Sequence, residues 1–257
     1  MQLSELLDDI DKKKEKLDSI RPLSSEQLQN LKKLYDVELT YNSNAIEGST
    51  LTYSETKLIL NEGLTIGGKK VNEHLEVINH KEALDFIEDI SNSTSSEITL
   101  KDILDIHYLV LKGIATKDAG VYRTKPVGVR KSSGEIFHFT DPLKVSDEMN
   151  IFIEWLKNED ELHPIILAAL VHYKFVSIHP FIDGNGRTAR LLMNLVLIQN
   201  GYPPAVIRVE DRVTYIQAIE KAQNDGEIED FYEVVVNAVG KSLDTYLEIL
   251  SSDITLI

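Results

Sequence analysis

Apolar residues recur at the spacing of an α-helix along most of the chain. Near the start, Leu3, Leu6, Leu7 and Ile10 lie on one helical face, and Pro22 follows where such a helix would end. The same periodicity predicts further helices over residues 71–91, 100–114, 146–157, 164–176, 186–199, 211–223 and 228–250. We therefore expect a mainly α-helical protein.

Two more helix starts carry N-terminal caps. Ser24 and Gln27 have the spacing of a capping box, in which each side chain accepts a hydrogen bond from the other residue's backbone N–H. Thr52 and Glu55 repeat this spacing before a short helix that Gly63 would end. Both pairs predict helices in the N-terminal part of the chain.

The pattern changes between the helices predicted at 100–114 and 146–157. Pro126 disfavours a helix there, and the short segments "VGV" and "EIFHF" flank a polar "KSSG" turn. This arrangement predicts a β-hairpin. Since no internal repeat or linker interrupts the chain, we expect one compact, mostly helical unit with a small hairpin.

Composition narrows the class of protein. The chain has 257 residues, of which 42% are hydrophobic, and a net charge of -15. An acidic chain argues against a nucleic-acid partner, because binding phosphate backbones needs lysine and arginine. The absence of cysteine excludes disulfides and thiolate metal sites.

Nothing in the sequence indicates a membrane protein. The first residues lack the apolar core of a signal peptide, and the longest apolar runs, "IILAALV" and "LVLI", are too short to span a bilayer. We expect a cytoplasmic protein without a membrane partner.

The segment "IHPFIDGNGRTARLL" concentrates groups that suit a phosphate. Gly184, Asn185 and Gly186 can form a concave nest of backbone N–H groups at the start of a helix, where the helix dipole also favours an anion. Arg187 and Arg190 lie about one helical turn apart and share a face. Two arginines beside an anion nest indicate a polyphosphate rather than a single carboxylate.

Two further side chains complete this cluster. Asp183 beside a phosphate is compatible only with a cation between them, and Mg²⁺ binds carboxylate and phosphate oxygens together. His179 has an imidazole that can accept a proton near neutral pH. A histidine before a proline, a Gly-Asn-Gly turn or an arginine pair is usually structural, but their coincidence in one segment favours a phosphate site.

One alternative fits the glycines alone. Gly184, Gly186 and Ala189 match the dinucleotide fingerprint G-x-G-x-x-G/A, with "FVSI" and "AVIRV" as candidate strands and Glu210 as the ribose-binding acid. This Rossmann interpretation predicts an NAD-binding oxidoreductase. It is disfavoured because "HPFID" separates the candidate strand from the glycines, and because strands and helices do not alternate along the chain.

At this point the chain resembles a known family. "HPFIDGNGRTAR" is similar to the Fic (filamentation induced by cAMP) motif HPFx[D/E]GNGRxxR at every defined position, and "SNAIEGSTLT" resembles the family's inhibitory [S/T]xxxE[G/N] motif. "GVYRTKPVGV" resembles its flap, and "GYPPAVI" and "YIQAIEKAQNDGEIEDF" resemble the segments after the motif. The likeness covers roughly residues 20–245. It implies a Fic-type helical bundle with a hairpin flap, in which residues 1–60 carry the inhibitory helix and residues 61–257 form the catalytic core.

The resemblance implies a protein adenylyltransferase, which transfers AMP from ATP to a Ser, Thr or Tyr hydroxyl of a target protein. Carried over by position, His179 would be the general base and Asp183 would hold Mg²⁺. Arg187 would steady the phosphate chain and Arg190 the γ-phosphate, with the backbone of residues 184–186 around the α- and β-phosphates.

The family's remaining site residues are also carried over by position. Val127, Gly128, Val129 and Arg130 would line the nucleotide and pair with an extended target segment. Tyr215 and Asn224 would contact the adenosine.

The same resemblance implies self-inhibition. Glu47 would contact Arg190 and occupy the space of the γ-phosphate, with Ser43 helping to fix the helix. Some members also remove AMP with this glutamate, so Glu47 has two candidate roles. Self-modification and a homodimer are further options, and a nucleotide-binding regulatory module with little turnover stays open beside the enzyme.

Overall fold

The computed structural model describes residues 3–93, 97–130 and 134–251. Within these residues the chain forms α-helices, two short strands and two 3-10 turns. The helices are α1 (Leu3–Ile20), α2 (Ser25–Ile46), α3 (Tyr53–Glu62), α4 (Val71–Ser91), α5 (Leu100–Leu111), α6 (Val145–Asn158), α7 (Pro164–Ile178), α8 (Asn185–Gln199), α9 (Arg212–Asp225) and α10 (Glu229–Ser251). The strands are β1 (Gly128–Arg130) and β2 (Ile136–His138), and the 3-10 turns are Pro142–Lys144 and Val209–Asp211. The predicted mainly α fold is confirmed.

The predicted caps form. At Ser24 and at Thr52 both hydrogen bonds of a capping box are present, with Gln27 and Glu55 as the partners. Gly63 ends α3 in the left-handed conformation at φ 65°. The helix predicted to reach residue 114 ends earlier, at Leu111, because the chain turns through Gly113 at φ 74°.

The two helices that flank the motif lie at the centre of the protein. α7 and α8 pack against each other, and α4 and α5 cover α8 from another side. Nearly every side chain of α8 is buried, including those of Leu192 and Met193. A helix that is enclosed on all sides gives its N-terminal residues a fixed position, which a binding site needs.

The N-terminal helices belong to the same core. α1 packs along α10, and Ile10 and Leu17 join one continuous hydrophobic cluster with Phe175 and Leu195. α2 packs against α3 and α4, and its C-terminal end reaches α8. The division between residues 1–60 and 61–257 stays a prediction.

The predicted hairpin is present as an antiparallel pair. Gly128 lies opposite His138, and Arg130 lies opposite Ile136. A Cβ on Gly128 would lie 2.7 Å from the carbonyl oxygen of Phe137, so the close approach of the strands requires glycine there. Residues 131–133 of the predicted "KSSG" turn lie outside the described residues.

The dinucleotide alternative is wrong. "FVSI" forms the end of α7, and "AVIRV" forms no strand. The sheet in the described part of the chain is two-stranded and antiparallel, whereas a Rossmann fold needs parallel strands joined by helices. None of the described helices is long and apolar enough to cross a bilayer.

Burial of His80 makes stability depend on pH. Its Nδ1 lies 3.1 Å from Thr40 Oγ1, and burial, with the nearby charges of Arg190 and Arg187, lowers its pKa to about 3. Because this pKa lies below that of an unfolded histidine, near ~6.5, protonation favours the unfolded state. The contribution of neutral His80 is therefore complete above that pH and is lost as the pH falls below it.

We expect His80→Asn, which keeps an acceptor near the Nδ1 position but cannot be protonated, to remove this dependence. Between pH 7 and pH 5, the free energy of unfolding of the wild type should fall by about 2 kcal/mol more than that of the variant. Urea denaturation at the two pH values measures this difference. An equal fall in the free energy of unfolding of both proteins would contradict the lowered pKa of His80.

Candidate active site

The turn between α7 and α8 begins at a strained residue. His179 has φ 52° and ψ 60°, and among the described residues no other non-glycine residue has a positive φ. Pro180 then prevents α7 from continuing, and Phe181 is fully buried in the core. The Asn185 side chain closes the turn, because Oδ1 accepts from Phe181 N at 3.0 Å and Nδ2 donates to Phe181 O at 2.9 Å. The end of α7 before His179 and the closed turn after it therefore fix the position of its backbone.

His179 is arranged as a base. Its Nδ1 lies 3.3 Å from Val176 O, which fits the tautomer that donates from Nδ1 and leaves a lone pair on Nε2. The ring stacks on Phe139 of the flap, with the centroids 3.9 Å apart. Burial lowers the pKa of His179 to about 4, against the opposing effect of the Val176 bond. The imidazole is therefore neutral at pH 7 and able to accept a proton.

Two glycines open the N-terminal end of α8. Gly184 has φ 77°, and a Cβ there would lie 3.2 Å from the His107 ring. A Cβ on Gly186 would collide with Glu47 Oε1. The carboxylate of Glu47 thus lies directly against the first turn of α8, where backbone N–H groups and the helix dipole favour an anion.

Arg190 is buried, and its donors are directed at the end of α2. Nη2 donates to Glu47 Oε1 at 2.7 Å and to Ser43 O at 2.9 Å, and Nε donates to Ser43 Oγ at 3.0 Å. Nη1 donates to Tyr215 Oη at 3.3 Å. The structure thus brings Arg190 together with Glu47, as predicted, and adds two hydrogen bonds to Ser43, while the inhibitory role of Glu47 stays a prediction.

Arg187 is buried as well, at 4% exposure, but is less completely bonded. Nη1 lies 3.5 Å from Glu76 Oε1, Nη2 lies 3.8 Å from Asp183 Oδ1, and Nε is buried with no hydrogen-bond partner. A buried guanidinium N–H without an acceptor costs free energy. Its place beside the glycine turn leaves Arg187 with capacity for an anionic ligand.

The charge of Glu47 is set by this cluster. Burial raises the pKa of Glu47, but Arg190 first and then Arg187 and Arg212 more than offset it, so the pKa is lowered. The side chain nevertheless stays 40% exposed. Arg212 also holds the end of α2, next to Glu47, because its Nε donates to Ile46 O at 2.8 Å. Glu47 is ionised at neutral pH and faces the mouth of the site.

Asp183 lies at the same mouth, with 68% of its side chain exposed. Oδ1 accepts from Gly184 N at 2.6 Å. Within the described residues no group of three or more His, Cys, Asp or Glu side chains could hold a metal ion. A cation at Asp183 would therefore take most of its oxygen ligands from a bound phosphate and water.

His107 supports the loop in a way that the sequence did not indicate. Nε2 lies 2.9 Å from Asp183 O, Nδ1 accepts from Gly120 N at 2.9 Å, and the ring stacks on Phe181 at 3.5 Å. No local sequence pattern indicates this role, because α5 meets the motif only through the fold.

The remaining predicted site residues lie around this centre. Tyr215 is 2% exposed and lies beneath Arg190, with Oη 2.8 Å from His172 Nε2. Asn224 is exposed in the last turn of α9. In the flap, Val127 is half-buried, and Gly128, Val129 and Arg130 are exposed. Contacts of these residues with a nucleotide stay predictions.

Comparison with known proteins agrees with this geometry. Residues 97–197 match the model of the Fic/DOC family. A Fic domain-containing signaling protein from Bacteroides thetaiotaomicron has 30% identity and a TM-score of 0.90, and the alignment covers 97% of this chain and 100% of that one. The chain belongs to the Fic family.

Further relatives extend the likeness over nearly the whole chain. Fic-1 from C. elegans is 32% identical with a TM-score of 0.86, over 98% of this chain and 74% of that structure. The protein adenylyltransferase Fic of Nematostella vectensis is 41% identical over 95% of this chain and 56% of its own length. The protein adenylyltransferase Fic of Drosophila virilis is 38% identical over 93% of this chain and 48% of its own length. This Fic chain thus spans about half the length of the curated relatives that it matches.

The amide clamp of Asn185 gives a stability prediction for this Fic domain. Asn185→Ala removes both hydrogen bonds to Phe181 and leaves a buried N–H and C=O unpaired, so the free energy of unfolding should fall by about 2–4 kcal/mol. Urea denaturation measures the loss.

Asn150 provides the control for this substitution. It also donates to a backbone carbonyl, of Ser146 at 2.9 Å, but lies on the exposed face of α6. Asn150→Ala should cost less than about 0.5 kcal/mol. Similar losses at both positions would contradict the role given to the clamp.

Proposed function

We propose that this chain is a protein adenylyltransferase that transfers AMP from ATP to a serine, threonine or tyrosine hydroxyl. The observation that carries the proposal is a neutral His179 with a free Nε2, one short turn from a glycine-lined helix start with two buried arginines. The curated relatives named protein adenylyltransferase Fic support the choice of reaction.

In the proposed reaction the target hydroxyl oxygen attacks the α-phosphorus of ATP. The new O–P bond forms while the bond from the α-phosphorus to the bridging oxygen of the β-phosphate breaks, and pyrophosphate leaves with that electron pair. The hydroxyl proton passes to His179 Nε2. The N-terminal N–H groups of α8 bind the α- and β-phosphates, and Arg187 and Arg190 bind the phosphate chain and the γ-phosphate.

The Mg²⁺ that usually accompanies ATP has one candidate protein ligand. Asp183 is exposed at the mouth of the site and offers a carboxylate beside the glycine turn. When bound there, Mg²⁺ would neutralise phosphate charge and orient the leaving group.

The flap is the proposed contact for the protein target. β1 pairs with β2 along one edge, and Gly128, Val129 and Arg130 are exposed. An extended target segment can add to such an edge through its backbone and bring a hydroxyl toward His179. In the same proposal Val127 borders the nucleotide and Asn224 contacts the adenosine, whereas Tyr215 supports Arg190 at the γ-phosphate.

Glu47 is proposed to inhibit this reaction. Its carboxylate accepts from Arg190 at 2.7 Å and lies against Gly186, where the polyphosphate would have to enter. A carboxylate competes with phosphate for a guanidinium and repels an incoming anion. Ser43 holds Arg190 through two more hydrogen bonds, which keeps the pair aligned. AMP removal, with Glu47 orienting a water molecule, is a second proposed role for the same carboxylate.

The occupied position of Glu47 also favours a second candidate, a nucleotide-binding module with little turnover. The two candidates differ in what His179 does. In an enzyme, His179→Ala should still bind ATP but lose AMP transfer. In a binding module, AMP transfer should be low both with and without His179.

Release of the inhibition gives the first test of this proposal. Glu47→Gly should raise the incorporation of labelled AMP at least about tenfold, because one charge-assisted hydrogen bond is worth about 1.5–3 kcal/mol. Intact mass after incubation with Mg-ATP identifies the group transferred in any self-modification: a gain of about 329 Da means AMP and about 80 Da means phosphate.

The matched variant is Glu47→Gly combined with His179→Ala. Without the base, incorporation should fall on the order of 100-fold or more below that of Glu47→Gly alone. The proposal fails if Glu47→Gly incorporates no more AMP than the wild type, or if the double variant is as active as the single one.

The pKa of His179 predicts an unusual pH profile. Since burial lowers this pKa to about 4, the neutral base is present throughout the range from pH 8 to pH 5. For Glu47→Gly, kcat/KM should stay level over that range and fall only as the pH approaches about 4.

Circular dichroism at each pH ensures that only folded protein is compared. An acid limb with a midpoint near ~6.5, the value for an unperturbed imidazole, would contradict the assignment of the buried His179 as base.

A further inference from the structure

Arg123 lies outside the motif, between α5 and the flap, and its side chain is buried at 3% exposure. We propose that Arg123 is a positioning residue that fixes the flap and His179 relative to each other. This inference rests on the proposed function, because it concerns how the base and the target-binding strand are brought into register.

On one side Arg123 binds the end of α7. Nε donates to His179 O at 2.8 Å, Nη2 lies 3.5 Å from Ile178 O, and the backbone N donates to Pro180 O at 2.9 Å. The carbonyls at a helix C-terminus have no partner within the helix, and the helix dipole makes that end negative. A guanidinium there donates hydrogen bonds to these carbonyls and offsets the negative end of the helix dipole.

On the other side Arg123 binds both legs of the hairpin. Nη1 donates to Lys125 O at 3.0 Å, and Nη2 donates to Thr140 O. Lys125 precedes β1 and Thr140 follows β2. One planar group therefore joins the two ends of the flap to the turn that carries the base.

Arg123 has no carboxylate partner in the described part of the chain that would explain its burial as an ion pair. Burial lowers the pKa of the Arg123 guanidinium, and only the more distant charge of Asp141 opposes this. Within the described residues, the hydrogen bonds of its side chain all go to backbone carbonyls. The rigid fork of arginine can span such a set of acceptors, whereas the single ammonium group of lysine cannot.

The hydrogen bond from Arg123 to His179 O stabilises a residue with a strained backbone. His179 has φ 52°, a conformation that costs free energy for a residue with a Cβ. Phe139 of the flap stacks on the same imidazole. Without Arg123 the base and the flap lose their common anchor, while the glycine turn and both site arginines keep their own contacts. The expected defect is therefore much larger in kcat than in binding of the nucleotide, which the flap borders only through Val127.

The kinetic test uses the full chain with Glu47→Gly, magnesium, α-labelled ATP, and a pool of peptides that contain serine, threonine and tyrosine. Arg123→Met should lower kcat by about 100-fold, as expected for a misplacement of about 1 Å, and change the KM for ATP by less than about threefold. Arg123→Lys should recover part of kcat because it retains the charge. The control Lys125→Met removes an exposed cation from the same segment and should leave both constants unchanged.

Hydrogen exchange tests the same coupling without any chemistry. In Arg123→Met the amides of β1 and β2 and those of residues 178–181 should exchange faster together, while those of the buried helix α8 keep their rates. If Arg123→Met does not fold, Arg123→Lys is used for both measurements.

The inference is overturned if only one of the two segments changes its exchange, if the KM for ATP rises as much as kcat falls, or if Lys125→Met behaves like Arg123→Met. A Glu47→Gly parent that incorporates no AMP would instead reject the proposed function, and hydrogen exchange would still decide the coupling.

Discussion

Two guanidinium groups buried at the N-terminal end of α8 impose the main constraint on this protein. A buried charge is tolerated only when hydrogen bonds and opposite charges surround it, and the neighbouring helices provide them. α2 contributes Ser43 and Glu47 to Arg190, α9 contributes Tyr215, and α4 contributes Glu76 to Arg187. The contacts that pack these helices around α8 are therefore also the contacts that form the site.

The two arginines differ in how completely protein groups satisfy their donors, and this difference fits the proposed function. Arg190 has its donors satisfied by protein groups, one of them the carboxylate of Glu47. Arg187 keeps a buried Nε without a partner. In the proposed function an incoming polyphosphate would have to displace Glu47 to reach Arg190.

Much of the fold could be predicted from the sequence, because local rules determine it. The capping boxes at Ser24 and Thr52, the glycine at the end of α3 and the helical periodicity act over a few residues, and the structure obeys them. The end of α5 was predicted too late, because the turn at Gly113 interrupts an apolar pattern that continues beyond it. The order of residues in the motif likewise predicted a base, an anion site and two cations together.

The supporting residues could not be predicted, because they act across the fold. His107 and Arg123 are far from the motif in sequence. His107 has no distinguishing local pattern, and although Arg123 lies in the segment that resembles the flap, that resemblance does not indicate its contacts with the end of α7. Tyr215 was predicted to contact a nucleotide, but its position under Arg190 depends on how α9 packs. The contact of Glu47 with Arg190 was predicted only through the family resemblance, since Glu47 alone has the pattern of an exposed residue at a helix end.

The central claim is that Glu47 occupies a site built for a polyphosphate. Calorimetric titration of Mg-ATP into the wild type and into Glu47→Gln tests it most directly, because glutamine keeps the shape of the side chain and removes its charge. The account predicts that the dissociation constant falls at least about tenfold in the variant, the equivalent of roughly 1.4 kcal/mol. Equal affinity of the two proteins for Mg-ATP would contradict it.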